Sequence, residues 1–205
     1  MWPEAEQTQE LLIGARQGDA EAVNRLLERH RTAVRRMIEM RMDRRIQQRV
    51  DASDIVQDVL IEANQRLADY LRDPSMPFHL WLRHMARDRI IDVHRRHRVA
   101  AKRSIDREQP LAAPAALDRS TLQLAAELCD RQLTPAARAM RRELEQQFAA
   151  AIEQLDETDR EIIQMRHAEQ LSNSEVATAL QLTAPAASMR YLRAVRRLRG
   201  LLAEL

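Results

Sequence analysis

Apolar residues recur at helical spacing through most of the chain, and short polar breaks separate the stripes. The stripe over residues 10–40 is interrupted at Gly18 and Asp19, which predicts two helices with Asp19 as the N-cap of the second. The clearest single helix spans residues 51–71, because Asp51 opens a capping pattern and the apolar positions after it keep a helical period.

A break at residues 73–77, which contains two prolines, precedes a helix predicted over residues 78–98. The apolar positions expected on its inward side are Phe78, Trp81, Leu82, Met85, Ile90 and Val93. At this spacing Phe78 and Trp81 are better explained as core residues than as platforms for stacked bases.

Residues 100–140 differ in character from the segments on either side. Three prolines, many alanines and a weak period predict a linker with one short helix at residues 121–131. The chain is therefore predicted to form a first small helical domain at residues 1–99, a linker at 100–140 and a second small helical domain at 141–205.

The second domain is predicted to end in three helices joined by tight turns. Asp156 caps the first of them, and Ser172 with Glu175 forms a capping box for a short second helix. Thr183 caps the last helix, and Pro185 lies in its first turn, where a missing N–H costs little. Short helices followed by a long basic one are typical of a DNA-binding helix-turn-helix, although a surface helix of an ordinary bundle has the same pattern.

Helical geometry, at roughly 100° per residue, divides the last helix into two faces. The side predicted to pack inward carries Ala187, Tyr191, Ala194 and Leu198. The other side carries Pro185, Ser188, Met189, Arg193 and Arg196. Small residues near the N-terminus permit close approach to a groove, and the arginines further along can bind phosphates or guanine edges.

Composition supports an all-α fold. Aromatic residues make up 3% of the 205 residues and there are three glycines, whereas helix-favouring Ala, Leu, Arg, Glu and Gln are abundant. The net charge is only +2, yet arginines are concentrated in residues 83–98 and 190–205. Two basic clusters on a nearly neutral chain indicate two contacts with a polyanion, although solvated helix faces would carry the same charges.

The sequence offers little for catalysis, for a cofactor or for membrane insertion. Cys129 is the only cysteine, which excludes an intramolecular disulfide, and no segment has the roughly 18 apolar residues of a membrane span. No glycine-rich phosphate loop or nucleophile elbow is present, and the acidic start lacks a signal-peptide pattern. His84, His94 and His97 lie among arginines with Asp92 as the only obvious carboxylate, a poor metal site. We therefore expect a cytoplasmic protein that is not an enzyme, with no metal, no cofactor and no small-molecule substrate.

Three segments carry a resemblance to a known family. Two are DASDIVQDV at residues 51–59 and FHLWLRHMARDRIIDVHRR at residues 78–96. The third, within residues 155–202, comprises Leu155, Asp159, Arg160, Glu161, Leu171, Ser172, Glu175, Val176, Ala177, Leu180, Arg190, Arg193, Ala194, Arg197 and Leu198. In this order they resemble the second and fourth conserved regions of sigma-70-type transcription initiation factors. The linker is too short for the extra domain of housekeeping members, so the chain is similar to two-domain sigma factors of the extracytoplasmic-function group.

The resemblance implies a factor that binds core RNA polymerase and promoter DNA, opens the minus-ten element and initiates transcription of a specific regulon. Polymerase would contact Asp51, Asp54, Gln57 and Asp58. The minus-ten element would meet Arg83, Arg87, Arg89, Arg95 and Arg96 through its phosphates, with Ser75, Met76 and His79 near a base. The minus-thirty-five duplex would meet Ser188, Met189, Arg190, Arg193, Arg196 and Arg197. An anti-sigma factor is the further partner that the resemblance suggests.

Several positions depart from the family pattern. Asp88 stands where Asn is usual, so either it pairs with a neighbouring Arg or base recognition differs. Ser53 stands where an acidic residue is common, and phosphorylation would restore that charge, although a Ser in a first helical turn needs no such role. Gln181, Ala186 and Ala187 replace the usual small turn residue and β-branched pair, so the promoter sequence cannot be taken from the family.

The main alternative is a DNA-binding regulator that never joins polymerase. Such a protein would keep the helix-turn-helix but would not need a polar, acidic face on the helix of residues 51–71. Binding to core polymerase therefore separates the two interpretations.

Overall fold

The structure, a computed structural model, describes residues 2–42, 44–103, 119–129 and 138–204. Within those ranges the chain forms helices, turns and no strand, so the predicted all-α fold is confirmed. The chain divides into two compact units, Met1–Ala112 and Ala113–Leu205.

The first unit contains the helices α1 (Ala5–Arg16), α2 (Ala20–Arg41), α3 (Arg44–Gln47), α4 (Ala52–Arg72) and α5 (Phe78–Arg103). Both predicted caps are confirmed. The Asp19 carboxylate accepts the backbone N–H of Glu21 at 2.8 Å, and the Asp51 carboxylate accepts that of Ser53 at 2.8 Å. The single turn α3 was not predicted, and α5 continues five residues beyond the expected end at residue 98.

The core of the first unit lies around α2, which packs against α1, α4 and α5. Gly14 allows α1 to approach α2 closely, because a Cβ atom at Gly14 would lie 2.8 Å from the Ala22 Cβ. Phe78 is buried and Trp81 packs against the core, which confirms the prediction for both residues. The rings of Tyr70 and Trp81 have centroids 4.7 Å apart, so aromatic packing fixes the start of α5 against the end of α4.

The second unit contains α6 (Arg119–Leu128), α7 (Arg138–Gln154), α8 (Glu157–Ile163), a π-helical turn (Gln164–Ala168), α9 (Asn173–Ala179) and α10 (Ala184–Ala203). All three predicted caps are confirmed. The Asp156 carboxylate accepts the Asp159 N–H at 2.8 Å, Ser172 and Glu175 form a full capping box, and the Thr183 hydroxyl accepts the Ala186 N–H.

The short helix α6 confirms the helix predicted within the linker, but it does not stand apart from the second unit. It packs against α7 and the π-helical turn, and it buries Leu122, Leu124, Ala125 and Ala126. The second unit therefore begins before the predicted boundary at residue 141, because these apolar residues need a neighbour to cover them. Residues 104–118 and 130–137 of the predicted linker lie outside the described residues.

Candidate nucleic-acid interface

A polar, acidic face runs along the first half of α4. Asp54, Gln57 and Asp58 are exposed there, whereas the intervening Ile55 and Val56 are buried in the core. This separation follows from the helical period, which directs positions i, i+3 and i+4 to one side. The face can accept hydrogen bonds from a basic partner.

Two further residues shape the start and the middle of this face. Asp51 is the N-cap of α4, and the hydrogen bonds from Ser53 hold the pKa of the Asp51 carboxyl below its usual value. Ile61 lies one turn beyond Gln57 and Asp58 and is 48% exposed, so an apolar side chain extends the acidic face. Sequence analysis missed Ile61, although its spacing from Gln57 and Asp58 was the available signal.

The loop before α5 is held in place by Tyr70. The Tyr70 hydroxyl donates to the carbonyl oxygen of Met76 at 2.9 Å, and burial raises the pKa of Tyr70, which keeps the hydroxyl in its donating form. Ser75 is exposed in this loop, and Met76 is half-buried. His79 is half-buried with its ring centroid 5.8 Å from that of Trp2. The three residues predicted to lie near a base are therefore close together along the chain at the α4–α5 corner.

The five arginines of α5 that were predicted to bind phosphates differ in exposure. Arg95 and Arg96 are exposed and Arg87 is half-buried, so these three can reach a partner. Arg83, also predicted to bind a phosphate, is fully buried within the first unit, so its guanidinium is not presented at the surface. Arg89 is mostly buried and its Nη2 atom lies 3.4 Å from Oδ2 of Asp58.

Asp88 was predicted either to pair with a neighbouring arginine or to change base recognition, and the ion pairs of α5 bear on this choice. Arg89 pairs with Asp58, and Arg95 pairs with Asp92 at 3.0 Å, so these two neighbours are already engaged by other carboxylates. Asp88 itself is exposed. The negative charge of Asp88 therefore lies on the surface of α5 among the arginines that remain accessible.

The turn between α9 and α10 has the compact geometry of a helix-turn-helix. The Leu182 N–H donates to the Ala177 carbonyl oxygen at 2.8 Å, and the Asn173 side-chain amide donates to the Ala184 carbonyl oxygen at 3.0 Å. Gln181 adopts a left-handed backbone with φ of 54°. This conformation would suit glycine, since a residue with a Cβ atom is disfavoured there.

The two predicted faces of α10 are confirmed. Ala187, Ala194 and Leu198 are buried against the rest of the unit. On the opposite side Arg193 and Arg196 are exposed. Met189 and Leu192, which are exposed by 54% and 45%, share that outer side, while Ser188 and Arg190 are half-buried at its edges. Leu192 was missed by sequence analysis, although the same helical wheel places it beside Met189.

Tyr191 joins α10 to the π-helical turn. Its hydroxyl lies 2.7 Å from Nε2 of His167, the two rings stack with centroids 5.8 Å apart, and the Arg166 guanidinium lies 5.6 Å from the Tyr191 ring centroid. Burial raises the pKa of Tyr191. Sequence analysis placed Tyr191 on the inward face but missed His167 and Arg166, because the contacts span more than twenty residues of chain.

Arg197, predicted to contact the minus-thirty-five duplex, is exposed and also pairs with two carboxylates of the same unit. Its Nη1 atom lies 2.7 Å from Oδ2 of Asp156 and 3.0 Å from Oδ2 of Asp159. The Asp159 N–H and then the Arg197 guanidinium hold the pKa of Asp156 below its usual value. Arg197 thus joins α10 to the N-terminus of α8. Carboxylates at that end also interact favourably with the helix dipole. Arg160 works similarly at the end of α7, since it donates to the carbonyl oxygens of Ile152, Glu153 and Leu155.

The described part of the chain offers no cluster of three or more His, Cys, Asp or Glu side chains that could hold a metal ion. None of its helices is both long enough and apolar enough to cross a membrane.

Comparison with known proteins adds two family matches and one structural likeness. Residues 26–99 match Sigma-70 region 2, and residues 145–198 match Sigma-70, region 4, which together span more than half of the chain. The fold is similar to that of CnrH, solved in complex with the cytosolic domain of CnrY, with a TM-score of 0.58 and 23% identity over 97% of this chain and 98% of that one. No curated protein sequence matches this chain.

Proposed function

We propose, because this chain belongs to the sigma-70 family, that it binds core RNA polymerase and directs it to the promoters of a specific regulon. The observation that carries the proposal is the presence of regions 2 and 4 in order on one chain, each with an accessible polar or basic face. A DNA-binding regulator needs only the second of these regions. In this role the chain supplies promoter choice and strand opening and catalyses no reaction, as expected for the extracytoplasmic-function group.

The polymerase contact is assigned to the acidic face of α4. Asp54, Gln57 and Asp58 present two carboxylates and an amide to one side, which suits a partner with basic helices through charge-assisted hydrogen bonds. Asp51 belongs to the same end of the helix, where it also acts as the N-cap. The exposed Ile61 gives this contact an apolar component.

The minus-ten contact is assigned to the α4–α5 corner and the outer face of α5. Arg87, Arg95 and Arg96 supply the accessible positive charge that a single-stranded backbone needs. Ser75, Met76 and His79 lie where a base taken out of the stack would be held, since the Tyr70 hydrogen bond fixes their loop. Arg83 is left out of this set because it is buried.

The minus-thirty-five contact is assigned to the outer face of α10. Ser188, Met189 and Arg190 lie near the N-terminal half of that helix, and Arg193 and Arg196 follow on its exposed side. A helix with small residues at its start and arginines further along fits the major groove, with the arginines on phosphates or guanine edges. Arg197 is also exposed, but it pairs with two carboxylates, Asp156 and Asp159, so we assign it a structural role first and a place only at the edge of this contact.

A protein regulator is the third partner that we propose. The similar structure of CnrH is a complex with the cytosolic domain of CnrY. An anti-sigma factor that binds this chain would compete with polymerase or promoter DNA for the faces described above. The proposed place of action is the cytoplasm, where polymerase and promoters are found.

The proposal is tested by transcription with core RNA polymerase from the same organism, the purified chain and a library of genomic fragments. New start sites that share two spaced upstream elements are the expected result. An absence of binding between the chain and core polymerase would contradict the proposal and favour a DNA-binding regulator that acts alone.

A paired set of variants makes this test specific to the α4 face. Asp54→Ala combined with Gln57→Ala removes two proposed contacts and should weaken polymerase binding by about tenfold or more. Asp69→Ala is the matched control, because Asp69 is an exposed acidic residue of the same helix about 16 Å beyond Asp58. Equal losses for the double variant and the control would place the polymerase contact elsewhere.

A further inference from the structure

Large apolar side chains on the surface of the described residues are few, and α10 carries two of them. Ile13, Ile61 and Ile91 are the exposed ones in the first unit, and Met189 and Leu192 are those in the second. Met189 and Leu192 are three residues apart on one helix and therefore share a face. Single exposed apolar residues are ordinary, but a neighbouring pair on the face proposed to enter DNA calls for a physical explanation.

The pair lies on the side of α10 opposite the core. Ala187, Ala194 and Leu198 are fully buried on one side, and the helical wheel places Met189 about 180° from that group. Residues 184–186, at the start of the helix, are two alanines and a proline, so Met189 is the first long side chain to project from the outer face. Met189 and Leu192 thus project at the part of the helix with the closest access to a groove.

Positive charge follows the apolar pair along the outer face of α10. Arg193 and Arg196 lie one turn after Met189 and Leu192 respectively, and both are exposed. The Nε atom of Arg193 donates to the Met189 carbonyl oxygen at 3.4 Å, which keeps that guanidinium next to the pair. A partner for this face must therefore offer negative charge immediately beside an apolar group.

The major groove of DNA meets this requirement at one kind of base. Each base edge presents hydrogen-bond donors or acceptors there, and thymine adds a C5-methyl group, which is the apolar feature of the groove. The phosphate backbones of the two strands border the groove and supply the negative charge. An apolar side chain with an arginine one turn further along the helix is thus complementary to a thymine methyl group near a phosphate backbone, and a polar base edge would leave the apolar side chain without a matching group.

We propose that Met189 and Leu192 determine promoter specificity by contacting the methyl groups of thymines in the minus-thirty-five element. This inference rests on the proposed sigma-factor function. The two residues are separated by about 4.5 Å along the helix axis, so the methyl groups belong to bases on the same or neighbouring steps. The proposal commits to a duplex with methyl-bearing pyrimidines as the occupant of this face.

The test uses a promoter identified by transcription with the full chain bound to core polymerase. Each thymine of its minus-thirty-five element is replaced in turn by deoxyuridine, which lacks only the methyl group. Loss of one buried methyl contact should weaken binding of the polymerase complex by about fourfold at one or two positions. Replacing that thymine–adenine pair with 5-methylcytosine–guanine separates methyl contact from thymine identity, since partial recovery relative to unmethylated cytosine supports the methyl contact.

Variants assign the effect to the two side chains. At one position of the element, polymerase carrying Met189→Ala or Leu192→Ala should bind the thymine and deoxyuridine duplexes equally. Both residues are exposed, so these substitutions should preserve folding. Arg193→Gln should weaken binding to both duplexes and keep the thymine preference. Ile13→Ala, which removes a 55% exposed side chain from the first unit, is the matched control and should change neither.

The outcomes separate this inference from the function on which it rests. If no promoter is found because the chain does not support transcription, the proposed function fails and the inference fails with it. If promoters are found but deoxyuridine binds as well as thymine at every position, the inference alone is wrong. A thymine preference that persists in the Met189→Ala, Leu192→Ala double variant also overturns it. Tight binding of this face to a protein that the double variant loses, with no methyl dependence, would identify a protein interface instead.

Discussion

The Nη2 atom of Arg89 lies 3.4 Å from Oδ2 of Asp58, so an ion pair joins α5 to α4 in the first unit. Asp58 belongs to the face assigned to polymerase, and Arg89 belongs to the helix assigned to the minus-ten element. The two proposed surfaces therefore adjoin along this pair, and a partner that takes either side chain removes it from the other.

The Asp58–Arg89 pair is expected to contribute little to stability. Asp58 is half exposed, so solvent screens the attraction, and a double-mutant cycle with Asp58→Asn and Arg89→Gln should give a coupling below about 1 kcal/mol. Tryptophan fluorescence during urea unfolding measures this coupling free energy, because both tryptophans, Trp2 and Trp81, lie in the first unit. With a coupling this small, any larger effect of Asp58→Asn on polymerase binding reports a direct contact. A coupling of several kcal/mol would show instead that the pair is structural.

Neighbouring arginines of α10 are expected to behave differently when replaced by alanine. Arg197→Ala removes the contact with Asp156 and Asp159, so amide hydrogen exchange should accelerate in α8 and α10. Arg196→Ala should leave amide exchange unchanged, because Arg196 is exposed. It should instead reduce the slope of log affinity against log salt concentration for promoter binding by about one, the value of one phosphate contact. The reverse assignment of the two effects would contradict the geometry of α10.

Buried His30 is expected to make the first unit sensitive to acid. Its Nδ1 atom lies 2.9 Å from the Leu26 carbonyl oxygen, its ring packs against Phe78, and burial lowers the pKa of His30 to about 4. His30 takes up a proton near pH 6.5 in the unfolded chain but only near pH 4 in the folded chain. Stability is therefore lost progressively as the pH falls through this window, by roughly 3 kcal/mol, and His30 adds no further loss below it.

Urea unfolding followed by tryptophan fluorescence at several pH values checks this contribution. His30→Asn should be less stable at pH 7 but should show a flatter pH dependence than the parent chain between pH 6.5 and 4. Since the two proteins differ only at residue 30, the difference between their profiles isolates His30. Two parallel profiles would exclude His30 as the cause.

Gln181 is expected to destabilise the helix-turn-helix slightly. Its φ of 54° lies in the left-handed region, where a residue with a Cβ atom costs about 1 kcal/mol relative to glycine. Gln181→Gly should raise the free energy of unfolding of the second unit by somewhat less, since glycine also gains freedom in the unfolded chain. Thermal unfolding followed by circular dichroism gives the change.

The control for Gln181 is a glutamine in an ordinary helical conformation. Gln146 is exposed in the middle of α7, and Gln146→Gly should lower stability by about 1 kcal/mol. Opposite signs for the two substitutions are the expected outcome. A loss of stability at both positions would mean that the Gln181 side chain makes contacts that offset its backbone conformation.

Much of the local structure could be predicted because it depends on residues close together in the chain. A helix cap needs a side chain and a backbone N–H two or three residues apart, and all five predicted caps, Asp19, Asp51, Asp156, Ser172 and Thr183, are confirmed. The two faces of α10 were equally accessible, since a helical wheel needs only the period of 3.6 residues. The sequence alone thus determined the helical class, most helix limits and which face of α10 is outermost.

The roles of individual arginines depended on contacts between distant residues. Arg83, Arg89 and Arg95 share a basic segment and look equivalent in the sequence, yet one is buried, one pairs across to α4 and one pairs within α5. Arg197 meets Asp156 across 41 residues, and α6 gains its place in the second unit only by packing on α7 and the π-helical turn. Burial and pairing of this kind depend on which helix faces meet, and the helical period of one segment does not specify its neighbour. Tertiary packing was therefore needed to separate the arginines that remain exposed from those that are buried or paired between helices.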